Sequence, residues 1–129
     1  MAEKDVIRTD RAPGPFQGAP YNQAIRVGGL VFVAGQLGIS LETGELAGAG
    51  VAEQTEQIMS NLGTILEAAG SGLDKLVKTT VFLMDLADFA AMNEVYARHV
   101  GERPPARSTI QISGLPSGAL VEIEAIAHT

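Results

Sequence analysis

Residues 51–69 constrain this chain more than any other stretch. Val51, Thr55, Ile58, Leu62, Ile65, Leu66 and Ala69 recur at steps of three and four, which puts them on one face of a helix. Gly70 follows, as glycine does where a helix stops. One apolar stripe of five turns has to be buried against something. The next segment, LVKTTVFLM at 76–84, is β-branched and apolar and reads as a strand buried on both sides. A second helix is predicted from 87 to about 100. Asp85 caps it, Phe89, Met92, Val95, Tyr96 and His99 form its stripe, and Gly101 with Pro104 and Pro105 ends it.

The remaining strands frame these elements. Residues 22–27 and the apolar run LVFVA at 30–34 are separated by Gly28 and Gly29, the pattern of a β-hairpin. Thr43-Gly44 and the glycines after it mark a loop. Two strands close the chain, 106–113 and 119–127, joined by GLPSG at 114–118. Residues 1–20 read as an irregular N-terminal arm, because RAPGPFQGAP at 11–20 holds three prolines and two glycines. A short first strand at Val6-Ile7 is the exception considered. The order is β-β-α-β-α-β-β, and the class α+β. A mixed β-sheet with two helices packed on one face buries both stripes. If the sheet's other face is apolar, copies of the chain itself are its cover.

With 129 residues the expectation is a single domain spanning 1–129. Hydrophobic residues make up 46% of it, enough for a core. The net charge of −6 disfavours nucleic acid. There is no cysteine, which excludes disulfides and thiolate chemistry. The two histidines, His99 and His128, form no paired ligand motif, so no metal is expected. GELAGAG lacks the spacing of a phosphate-binding loop. No apolar run reaches the ~18 residues a membrane span needs, and MAEKDVIRTD has no apolar signal core. The expectation is a cytoplasmic chain with no membrane partner.

Strand parity points to candidate chemistry. Arg107, Thr109 and Gln111 share one face of their strand, opposite Ser108, Ile110 and Ile112. Glu122 and Glu124 share a face of the last strand, opposite Val121, Ile123 and Ala125. A hairpin between the two strands brings Arg107 and Thr109 near the acidic pair. The planar guanidinium fork suits a small carboxylic acid. The same pattern equally describes a cross-strand ion pair that only stabilises a sheet. Tyr96 reads as core. Tyr21, following the Pro-rich arm, is the tyrosine placed to reach a pocket.

Four blocks then resemble one family. APYNQAIRVGGLVFVAGQ at 19–36, VKTTVFLMDLADFAAMNEVY at 77–96, PARSTIQISGLP at 105–116 and VEIEAIA at 121–127 look like the RidA/YjgF proteins, in family order. The resemblance implies a chorismate-mutase-like fold. It also implies a homotrimer whose sheets line a central barrel, with a cleft between each pair of subunits. Its implied activity is hydrolysis of 2-aminoacrylate and related enamines or imines to 2-keto acids and ammonia, without a cofactor. By position, Arg107 would hold the substrate carboxylate and Glu122 would position the water. Tyr21 would close over the ligand, Asn93 would support the cleft, Gly35 and Thr109 would offer backbone groups, and Pro116 would shape the neighbouring loop. Two positions depart from the family: Ala34 stands where Ser is frequent before Gly-Gln, and Thr109 where several members have Cys. A Glu beside an Arg has its pKa lowered, so Glu122 is expected to become basic only once a bound carboxylate neutralises Arg107. A non-catalytic keto-acid-binding regulator is the alternative. An endoribonuclease is a further one, against which the acidic charge and the missing His pair stand.

Overall fold

The computed structural model describes residues 3–129. Strands β1 (Asp5–Ile7), β2 (Ala24–Val27) and β3 (Leu30–Leu37) come first, then helix α1 (Val51–Ala68), β4 (Leu76–Leu83), α2 (Phe89–Val100), β5 (Ala106–Gln111) and β6 (Val121–His128). They form one six-stranded sheet in the order β1-β2-β3-β6-β4-β5. All pairings are antiparallel except β4–β5. The predicted α+β arrangement, with a mixed sheet and two helices, is what the chain adopts. The short strand at Val6-Ile7 exists and belongs to the sheet, so the segment 1–20 is not irregular throughout; Met1 and Ala2 lie outside the described residues.

The local reasons are simple. Gly28 and Gly29 have φ of 57° and 82° and join Val27 to Leu30, a two-residue turn that needs left-handed backbone at both positions. The Asp85 carboxylate accepts from the Ala87 N–H at 2.9 Å. It caps a short 3₁₀ turn, Leu86–Asp88, that leads into α2. The core joins Ile58, Leu62 and Ile65 of α1 and Met92 and Tyr96 of α2 to Val31, Val81, Leu83, Val121 and Ile123 of the sheet.

Two expectations fail here. Within the chain, β4 is buried on one face only. Leu76, Thr79, Val81 and Leu83 face the helices, while Lys78, Thr80 and Phe82 are half-buried on the other side. That second face belongs to an uncovered sheet surface of mixed character, where Phe32, 41% exposed, and Ile110, 45% exposed, stand among Lys78, Thr80 and Glu124. The predicted hairpin of the last two strands is also absent. β4 lies between them, bonded to β5 on one side and β6 on the other. The chain turning through 114–118 crosses β4 to reach its place beside β3.

A β-bulge in β3 positions the candidate site. Val33 pairs with Ala125 and Gln36 with Ile123, so Ala34 and Gly35 together oppose Glu124 alone. The extra residue inverts the parity of the strand. Val31 and Val33 point to the core before the bulge, and Gln36 does so after it. Ala34 and Gly35 are left as a small, nearly side-chain-free floor beside Glu122.

Candidate functional site

The residues singled out from sequence fall into two groups. Glu122, Gly35, Tyr21 and Pro116 line one cavity of about 390 Å³, together with Ala34 and the arm residues Pro13 and Phe16. Glu122 projects from β6 on the face away from the helices and lies directly over the bulge. A Cβ built on Gly35 would collide with the Glu122 carboxylate, so glycine there makes room for the acid. Tyr21 reaches back to the arm, its hydroxyl accepting from the Phe16 N–H at 2.6 Å. Pro116 opens the 3₁₀ turn Pro116–Gly118, and Phe16 opens a matching one, Phe16–Gly18. Each holds a non-glycine residue in left-handed backbone, Ser117 at φ 59° and Gln17 at φ 53°. Backbone of that kind is costly and recurs at ligand sites.

Arg107, Asn93 and Thr109 form the second group, on the helix side of the edge strand β5. The Arg107 guanidinium lies over the rings of Phe89 and Tyr96, at 5.4 Å and 4.9 Å from their centroids. Such stacking is worth about 0.5–2 kcal/mol and fixes the plane of the fork. The Tyr96 hydroxyl is hydrogen-bonded to Thr79 Oγ1 at 2.7 Å, and burial pushes its phenol pKa up. Asn93 lies one turn after Phe89 and just under one before Tyr96, so it shares their helix face. Its Oδ1 is buried without a hydrogen-bond partner among the described residues, an arrangement that usually costs free energy unless a ligand completes it. Thr109 follows Arg107 by two residues on the same face of β5 and is, like it, half-buried.

Arg107 and Glu122 are therefore not neighbours in one chain. The expected meeting of arginine and acidic pair fails because β5 turns its polar face toward α2, where two aromatic rings accept the guanidinium. Its apolar Ile110 is left on the open side. The expected lowering of the Glu122 pKa fails with it. Burial raises the Glu122 carboxyl above the ordinary carboxylate range, and Glu124 on the same face adds repulsion of the same sign. Within the single chain the carboxyl is thus held above its ordinary value, with no guanidinium beside it to lower it.

Sequence reasoning missed Phe89 as a partner of Arg107 and read Tyr96 only as core. It also missed the arm residues Pro13 and Phe16 and the buried Gln23, which line the Glu122 cavity. The i, i+7 spacing of Phe89 and Tyr96 was a usable signal once Arg107 was placed on the helix side. Nothing in the local sequence marks Gln23.

The family described as Endoribonuclease L-PSP matches residues 11–129. A RutC family protein of Pyrococcus abyssi is 50% identical over 97% of this chain and 97% of its own length. The human 2-iminobutanoate/2-iminopropanoate deaminase is 43% identical, covering 95% of this chain and 88% of that protein. Among solved structures, RidA from the Antarctic bacterium Psychrobacter superposes with a TM-score of 0.91 at 44% identity, covering 97% of this chain and 99% of that one.

Proposed function

The chain belongs to the RidA/YjgF family of endoribonuclease L-PSP-type proteins, and from that premise we propose that it hydrolyses small 2-imino acids, or their enamine tautomers, to 2-keto acids and ammonia. The observation that carries this reading is the separation of the site into two incomplete halves. One has a basic carboxylate over a cavity and no cation among its lining residues. The other has an oriented guanidinium and an unpartnered amide oxygen. The exposed Phe32 and Ile110 on the open sheet face and the edge strand that carries Arg107 support joining the halves across an interface, in a homotrimer with the Arg107 half of one copy beside the Glu122 half of the next.

In that cleft Arg107 grips the substrate carboxylate through two charge-assisted hydrogen bonds. Asn93, Thr109 and the backbone at Gly35 hold the rest, and Tyr21 closes over it. Glu122 takes a proton from water as the water oxygen bonds to the imine carbon. With the imine nitrogen protonated, the neutral carbinolamine that forms takes the Glu122 proton onto its nitrogen, and ammonia leaves as the C–N bond breaks, while the hydroxyl proton returns to Glu122 and the carbon is left as a ketone. Protein groups alone account for this sequence, with no cofactor invoked. Orientation supplies much of the acceleration, and a carboxylate of raised pKa is suited to carrying the proton. No described helix is long and apolar enough to cross a membrane.

A second reading is favoured by one residue. Ala34 gives the cavity floor a methyl group, with no hydroxyl to hold water, which suits a protein that binds keto acids without turning substrates over. A competition assay separates the two. An amino-acid oxidase generates the imine and semicarbazide traps it; the enzyme reading expects this chain to suppress the semicarbazone signal. Binding of 2-oxobutanoate with no suppression would select the second reading.

A further inference from the structure

Gln23 is 3% exposed, and its side chain plays no part in the chemistry above. Its amide is spent entirely on the backbone of the arm. Oε1 accepts from the Thr9 N–H at 2.7 Å, and Nε2 donates to the carbonyls of Thr9 at 3.0 Å, Pro13 at 2.9 Å and Ala12 at 3.2 Å. An amide nitrogen has two protons, so two of these three carbonyls share one. The backbone carbonyl of Gln23 in turn accepts from the Ala34 N–H at 2.9 Å. Gln23 therefore links the bulge, which forms one wall of the Glu122 cavity, to Pro13, which forms the other.

The arm's composition explains why a side chain does this. Pro13 and Pro15 have no N–H, so this stretch offers carbonyls more readily than donors and cannot extend the ladder of β1. The amide NH₂ of Gln23, the residue just before β2, supplies what it lacks. The second fixed point is the Phe16 N–H on the Tyr21 hydroxyl. Pro13, Gly14 and Phe16, from one attachment to the other, line the cavity. We infer that Gln23 is a positioning residue that holds the arm as the substrate-side wall of the cavity, setting affinity for the substrate while leaving water attack to Glu122.

This role rests on the reading of that cavity as the substrate site, and kinetics can separate the two. Gln23→Leu removes all four hydrogen bonds; Gln23→Glu keeps the acceptor for Thr9 but turns a second oxygen on three carbonyls. Each is compared with wild type for KM and kcat on one imine and for the Kd of 2-oxobutanoate. A displaced wall weakens ground state and transition state alike, so KM and Kd should rise about tenfold with kcat within about threefold of wild type. A lower kcat with KM and Kd unchanged would mean that Gln23 only maintains the folded fraction, and would overturn the inference. If Gln23→Leu does not fold, Gln23→Asn, which draws the same amide back by one methylene, should show the same split to a smaller degree; an unchanged KM there would also overturn it. A wild-type chain that neither turns over imine nor binds 2-oxobutanoate would instead overturn the substrate site itself, and the role of Gln23 with it.

Discussion

At the scale of single residues the account turns on Glu122. Its neighbour Glu124 shares its face of β6, so a paired substitution tests which one works. Glu122→Gln keeps shape but removes the base, and turnover should fall by roughly 10²–10⁴-fold; Glu124→Gln should stay within a few-fold, read by steady-state rates on the same imine. The raised pKa of Glu122 also makes a stability prediction. A carboxyl that binds its proton more tightly when folded than when unfolded contributes stability below its unfolded pKa and loses it as pH rises through the raised folded value. Thermal melts of Glu122→Gln should therefore match wild type in acid and show a higher Tm at neutral pH. The acid limb of the wild-type kcat/KM profile should lie above the ordinary carboxylate range and be absent from Glu122→Gln. For Arg107, the substitution to Lys keeps the charge but loses the fork and the stacking on Phe89 and Tyr96. Keto-acid binding should weaken by about 1–3 kcal/mol, measured by titration calorimetry.

At the scale of elements the bulge in β3 is the device that makes the site. It brings Gly35 under the Glu122 carboxylate, and Gly35→Ala must push that flexible side chain aside. Turnover should drop by about tenfold or more, since small misplacements of a catalytic group are costly, while the melting temperature changes little; a fully active Gly35→Ala would remove the bulge from the account. The bulge also shows where sequence reading ran out. The helices were legible from their stripes and glycine stops, and the first hairpin from Gly28-Gly29, because each is dictated by local spacing. The pairing of the last strands was not legible, because the insertion of β6 between β3 and β4 is a tertiary choice that no local period encodes. That one choice decided on which side of the sheet Arg107 would stand relative to Glu122. Both residues were named from the resemblance, yet their separation follows only from sheet order, and the role of Gln23 only from the folded path of the arm.

At the scale of the whole molecule, the sheet face bearing Phe32, Phe82 and Ile110 has no cover within the described chain, and the two half-sites have no contact with each other. One assembly answers both facts. Light scattering should give a mass of about three chains, as expected of a closed ring of heterologous contacts, and a stable monomer at micromolar concentration would remove the cleft. The most direct test mixes two inactive proteins. Arg107→Ala and Glu122→Gln are unfolded together, refolded at equal amounts and assayed on imine, beside each variant refolded alone. If every cleft takes Arg107 from one copy and Glu122 from the next, random mixing restores about one cleft in four, and about a quarter of wild-type activity returns. If the mixture forms mixed oligomers but remains as inactive as its components, the two residues do not meet across an interface, and the account of this site is wrong.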